Sequence, residues 1–274
     1  MPTLSHAAGR SAASRLREIG ILLIRAALAI AAYAAIIAPM PAAAWEWNTI
    51  FARPVSASGT IKAEERAASG FTGVSLAVDA SVRIEQGQTE GVTIAADDNI
   101  LPLVETAVEN GTLKIRAARP NTSFPSRNVK ITVRAKTIDH LNIAGGGDMY
   151  AEALKVETLK AGIAGAGDLR IRLLDAGALV LKIAGSGDFA AAGRAARVHA
   201  SIAGSGDVDA GKLESKDVEV SIAGSGDALV WARDTLRIKV AGSGDVKYYG
   251  DAAVKQSIAG SGSIARLGAA PSGR

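Results

Sequence analysis

Seven copies of one short motif dominate the second half of this chain. They read Ile143-Ala-Gly-Gly-Gly-Asp148, Ile163-Ala-Gly-Ala-Gly-Asp168, Ile183-Ala-Gly-Ser-Gly-Asp188, Ile202-Ala-Gly-Ser-Gly-Asp207, Ile222-Ala-Gly-Ser-Gly-Asp227, Val240-Ala-Gly-Ser-Gly-Asp245 and Ile258-Ala-Gly-Ser-Gly-Ser263. Their last residues follow one another at steps of 20, 20, 19, 20, 18 and 18. A fixed period near twenty marks a solenoid, in which each repeat buries its apolar side only against its neighbours.

Aligning the copies on the Ile/Val shows what one repeat is. Four places upstream sit Asp139, Leu159, Leu179, Val198, Val218, Leu236 and Val254; two places upstream sit Leu141, Ala161, Leu181, Ala200, Val220, Ile238 and Gln256. The residues between are mostly polar or small. A period of two is that of a strand with one buried face. Asp139 and Gln256 break the apolar columns in the first and last copies, where an end rung has only one neighbour.

A second strand begins after each motif. Leu169, Ile171 and Leu173 alternate with Arg170 and Arg172, and a second turn is expected near Gly177, Gly193, Gly211 and Gly250. The Gly-X-Gly turn must be sharp, and glycine takes positive φ without a Cβ clash. Glycine this dense costs a helix roughly 1 kcal/mol per residue against Ala, so a helical reading fails. The predicted fold is all-β: a right-handed parallel β-helix-like solenoid, with two strands and two turns per repeat of about 20 residues.

Stacked repeats bring like residues into columns. Asp148, Asp168, Asp188, Asp207, Asp227 and Asp245 form one. Carboxylates about 5 Å apart in water repel by roughly 1 kcal/mol, less with salt. The column is therefore tolerable without a cation, and it reads as a structural turn ladder in which Asp caps backbone N–H groups. No metal site and no cofactor are assigned.

The first 44 residues read as an address. Arg10, Arg15, Arg17 and Arg25 lead into an apolar run from Ala26 to Ala38, followed by Pro39-Met-Pro-Ala-Ala-Ala44. This is the order of a secretory signal, with cleavage expected after Ala44. Export to the periplasm or the cell surface follows. No later apolar run is long enough to span a bilayer, so no membrane span is expected in the mature chain. The full chain carries 31 basic and 27 acidic residues; without the four Arg and one Glu of residues 1–44 the balance is 27 to 26, a net +1. With no basic stripe among aromatics, nucleic acid is not an expected partner. The absence of cysteine excludes disulfides, thiolate metal sites and a cysteine nucleophile.

Residues 45–68 read as a linker or incoming strand, with Trp45 and Trp47 in it. Residues 69–140 read as N-terminal coils and cap, residues 141–266 as the repeat solenoid, and 267–274 as a disordered tail. Within the cap, Asn110-Gly111 signals a tight hairpin, and Ile100 to Val108 reads as a strand or one helical turn.

The stretch from Phe71, through Ile84-Glu-Gln-Gly87, Asn99-Ile-Leu101, Asn110-Gly-Thr-Leu-Lys-Ile115 and the Ile-Ala-Gly-Ser-Gly-Asp series, resembles the GIN-domain family of autotransporter-adhesin heads. The resemblance spans roughly residues 70–265. It implies a right-handed parallel β-helix-like stack, export from a bacterium, and no known catalytic residues.

Catalysis needs convergent groups. His140 and His199 sit on outward positions three coils apart, about 14 Å by strand spacing, and cannot pair. Asp207, Asp209, Arg170, Arg172 and Lys182 are residue types that β-helix lyases and esterases use, but surface charge explains them equally well. A contact patch is the better expectation. Trp231 and Tyr249 lie four positions past their motif Asp on adjacent coils, with Leu229 and Lys247 two positions past it. Exposed aromatics beside a cation suit a glycan or an envelope or surface protein. The expected function is a non-catalytic exported binding or adhesion module presenting a flat solenoid face. The alternatives are an envelope scaffold that self-associates through its coil ends and, further off, a carbohydrate-active enzyme.

Overall fold

The computed structural model describes residues 55–119, 122, 124–125 and 128–271. The expected signal segment, Trp45 and Trp47 lie outside them. Nearly every described residue of the repeat region is in a strand. The core of the stack is β8 (His140–Gly145), β9 (Asp148–Gly165), β10 (Leu169–Gly185), β11 (Phe189–Gly204), β12 (Val208–Gly224) and β13 (Ala228–Gly242). These run parallel, each beside the next, and form a β-solenoid. The register sets Ile143 beside Ile163, Ile183, Ile202, Ile222, Val240 and Ile258 in turn.

Burial follows the period of two but is reset at the corners. In β10, Leu169 and Ile171 point inward, as do Leu174 and Ala176, and then Leu179, Leu181 and Ile183. Arg172 and Leu173 both point outward between the first two runs. Leu173, expected inward, is 48% exposed, and Leu174 takes the core position instead. The cause is a bulge: the pairing of β10 with β11 skips between Ile171 and Leu174, and one extra residue reverses the facing of everything after it. The strand thus bends at a second corner without leaving the ladder. Gly193 and Gly250 take positive φ at that corner, +117° and +106°. Gly177 does not; it is small because a Cβ there would lie 2.7 Å from the Glu157 carbonyl oxygen.

The Gly-X-Gly corner requires both glycines for different reasons. Gly185 has φ +133°, which L side chains rarely adopt. Gly187 would place a Cβ 2.2 Å from the Gly167 oxygen of the coil beneath. Ser186 and Gly187 both donate their N–H groups to the Gly165 carbonyl, at 2.8 and 3.1 Å, so the corners are stapled to each other as well as the strands.

The N-terminal half enters the stack out of order. β2 (Gly73–Ala77) pairs in parallel with β8, and β3 (Ser81–Gln86) with β9, so one coil formed 67 residues earlier lies against the first repeat. β6 (Thr112–Ala117) and β7 (Lys130–Ala135) form the next coil out, parallel to β2 and β3. Antiparallel strands finish that end: β4 (Gly91–Asp97) on β7, β1 (Ile61–Arg66) on β4, and β5 (Val104–Glu109) on β6. β5 and β6 are joined at Asn110 and Gly111, with φ +51° and +72°, the tight hairpin that this dipeptide signals. The segment before it is both alternatives at once, a 3-10 turn at Leu101–Leu103 and then β5.

The first motif copy is therefore not an end rung, and the explanation offered for Asp139 does not hold. Ile138 fills the buried space there, while Asp139 is half-exposed and turned toward His140. Gln256 does sit at an end. β14 (Val246–Tyr249), β15 (Ala253–Gly260) and β16 (Ile264–Gly268) close the stack, and β15 is exposed along most of its length. Leu267 and Gly268, expected in the tail, belong to that last strand.

Candidate functional site

The Asp column forms a continuous chain of hydrogen bonds. The Oδ1 atom of Asp148 accepts the N–H of Asp168 at 3.1 Å, Asp168 that of Asp188 at 3.2 Å, and Asp188 that of Asp207 at 2.9 Å. Asp207, Asp227 and Asp245 continue it to Asp227, Asp245 and Ser263 at 2.7, 2.8 and 2.8 Å. Each carboxylate caps the next coil's corner, not its own. Ser263 adds its hydroxyl to Asp245 at 2.8 Å, and these two bonds hold the Asp245 carboxyl below the usual carboxylate range. Asp79, which the motif alignment does not reach, does the same one coil earlier by accepting the Gly146 N–H at 3.0 Å. Among the described residues no group of three or more His, Cys, Asp or Glu is placed to hold a metal ion.

Trp231 and Tyr249 are register partners on β13 and β14, and so are Leu229 and Lys247. Lys247 is exposed; the other three are half-buried. The two pairs form a compact patch of one apolar, two aromatic and one cationic side chain. Trp231 also faces Glu214 across the β12–β13 pairing, which ties the patch to a column of alternating charge. In that column Arg194 grips Asp175 with two bonds of 2.8 Å, and Arg233 meets Glu214 at 2.8 Å. The Arg194 guanidinium draws the Asp175 carboxyl below its ordinary value, and Asp175 raises Arg194 in return. Only sequence pairs 18–20 residues apart reveal this column, since no local motif carries it.

The residues with enzymatic side chains do not meet in one place. His140 is held between Asp139, 2.7 Å from its Nδ1, and Thr112, 2.9 Å from its Nε2. That line ties the β5–β6 hairpin to the first repeat, and the ring covers Gly73, where no Cβ would fit. His199 lies three strands away beside Glu219. Asp207 is used by the ladder, and Lys182 stands on a different arm from Arg170. Arg170, Arg172 and Asp209, in contrast, line one open hollow with Tyr150 and Lys212, two residues the sequence alone did not single out. Tyr150 donates to Glu152, which also pairs with Arg172; both bonds lower the Glu152 carboxyl, the tyrosine's the more, and that same bond raises the Tyr150 phenol.

Similarity to known proteins supports the same architecture. A solved structure of a putative adhesin from Bacteroides fragilis is 25% identical, covers 78% of this chain and all of its own, and superposes with a TM-score of 0.74. A putative lipid binding protein from Parabacteroides distasonis is 23% identical over 78% of this chain and all of its own, with a TM-score of 0.64. A putative adhesin from Parabacteroides merdae is 20% identical over 79% of this chain and all of its own, with a TM-score of 0.63. No curated protein matches. The family described as putative auto-transporter adhesin, head GIN domain, matches residues 70–252, and with its glycine corners stacked as described this chain belongs to that family.

Proposed function

We propose that this chain is an exported, non-catalytic binding module that uses the outer surface of its solenoid for adhesion. The observation that carries this reading is the register of Trp231 with Tyr249 and of Leu229 with Lys247 on neighbouring outward positions. Large aromatics on a mostly small-residue surface are the groups with most contact energy to offer a glycan or protein. The description of the family and the name given to the Bacteroides fragilis relative support adhesion. The segment Arg10 to Ala44 supports export. Binding of the purified chain to a glycan array and to envelope proteins, compared with Trp231→Ala and Tyr249→Ala, tests the site. Undiminished binding by both variants removes it. Fractionation of cells expressing a tagged chain tests export.

A specific observation also favours a scaffolding role. Antiparallel strands finish the N-terminal end of the stack with β1 and β5 as its edges, and at the other end no strand among the described residues pairs with the outer edges of β15 and β16. An uncovered edge is a template for a second chain. Two copies that meet through their like β15–β16 ends close into a dimer, since that isologous contact uses up both of those edges.

A further inference from the structure

The outward columns just past the glycine corner contain a gap. The register sets Arg170, Ala190 and Asp209 side by side on β10, β11 and β12, and sets Ala192 beside Lys212. β11 thus offers only methyl groups where its neighbours carry long charged side chains. The result is an open hollow of about 260 Å³, floored by Ala190 and Ala192 and walled by Arg170, Arg172 and Tyr150 on one side and Asp209 and Lys212 on the other. Two strand spacings separate the walls, about 10 Å, so one sugar ring fits between them.

The walls are chemically distinct. Arg170 is anchored by Asp168 at 3.0 Å, and Arg172 by Glu152, which positions both guanidiniums while leaving further N–H donors unspent. Lys212 makes no ion pair among the described residues. Asp209 gives one oxygen to the Gly211 N–H at 3.2 Å and keeps the other. Asp168 and Glu152 offset the two guanidiniums and Asp209 offsets Lys212, so a carboxylate is favoured locally, by the unpaired Lys212 ammonium and the unspent fork donors of Arg172, and not by a net positive field. Asp209 repels a simple anion and can accept from the hydroxyls of a sugar. The methyl floor and the Tyr150 ring suit the apolar face of a pyranose. A second hollow, lined by Ser81, Asp148, Tyr150, Asp168 and Arg170 among others, shares Tyr150 and Arg170 with the first. Two contiguous hollows crossing the coils match an oligomer better than a monosaccharide.

We infer that this surface binds a carboxylated polysaccharide, with a uronate ring over Ala190. Its carboxylate meets Lys212 and the guanidinium of Arg172, and its hydroxyls donate to Asp209. This site adjoins the Trp231–Tyr249 patch, since Asp209 is the register partner of Leu229, but neither aromatic ring lines it.

Calorimetric titration of the whole exported chain with galacturonate, alginate and glucuronate oligomers, and with a neutral glucan oligomer, tests the inference. At least one acidic oligomer binds, the neutral one does not, and affinity falls with salt. Lys212→Ala at this exposed position weakens binding about tenfold, the loss of one charge-assisted bond. Ala190→Leu fills the floor and abolishes it while the melting temperature is retained. Trp231→Ala leaves uronate binding unchanged, so failure of this site and failure of the aromatic patch read separately. Binding of none of the three acidic oligomers overturns the inference. Equal binding of the neutral glucan, or full binding by both Lys212→Ala and Ala190→Leu, also overturns it.

Discussion

The carboxylate of Asp207 accepts the backbone N–H of Asp227 from the neighbouring coil at 2.7 Å. The two residues are 20 apart in sequence, and each is the last residue of its own motif copy. The bond makes the Asp column a fastener between coils. Replacing Asp207 by Ala removes the acceptor and leaves the Asp227 N–H to water, whereas Asp207→Asn keeps a carbonyl oxygen in place. Asp207→Ala lowers the melting temperature by about 2–4 °C, and Asp207→Asn by less. Thermal unfolding followed by circular dichroism measures both. Equal losses would show that charge, and not the acceptor, matters at this corner.

The last bond of that chain gives a pH dependence. Ser263 donates its hydroxyl and its N–H to Asp245, so the Asp245 carboxyl is depressed in the folded state. A depressed carboxyl contributes stability above its unfolded value, near pH 3.9, and loses that contribution as pH falls through the lower folded value. The difference in melting temperature between the parent chain and Asp245→Asn therefore narrows as pH drops from 5 toward 3. A difference that is constant over this range would contradict the assignment. Ser263→Ala removes the hydroxyl bond alone and gives a smaller effect of the same sign.

Steric contact between corners is a harder constraint than either bond. A Cβ on Gly187 would lie 2.2 Å from the Gly167 oxygen and 2.8 Å from Cγ2 of Ile163. Neither the Gly167 backbone nor the buried Ile163 methyl can yield cheaply. Gly187→Ala destabilises by about 1–3 kcal/mol, as overpacking does. Ser186→Ala, between two glycines but outward and exposed, changes stability by less than about 0.5 kcal/mol. Chemical denaturation of the two variants side by side decides it.

How far the chain could be read before folding depends on where each signal lies. The Ile143-to-Ile258 column, the glycine corners and the Asp column all repeat at nearly fixed intervals, so one alignment exposes them and their neighbours in space. Leu173 is misread because a bulge leaves no mark in an alternating string: Leu173 and Leu174 are both leucine, and only the coil next door decides which one faces in. The placing of β2 and β3 against β8 and β9 is equally hidden. Pairing between residues 60 or more apart is set by which edge is open when the chain returns, and β6 and β7 take the other side. The hollow over Ala190 arises from what one repeat lacks beside its neighbours, which a search for reactive side chains passes over.

The uncovered edge supplies the last prediction. Ile258 continues the buried column of Ile222 and Val240, yet it is 38% exposed because no further coil covers it. Gln256, on the same strand, replaces the apolar residue found two places upstream of the other motif copies. A partner that docked there would bury Ile258 and leave Gln256 to bond across the interface. Ile258→Lys places a charge on that edge, the device by which natural sheets discourage pairing. If two copies meet through this end, sedimentation shows a concentration-dependent dimer for the parent chain and a monomer for Ile258→Lys, with the melting temperature of the monomer nearly unchanged because the site is already exposed. A parent chain that stays monomeric to millimolar concentration would assign the edge no role in assembly and leave surface binding as the sole function of the stack.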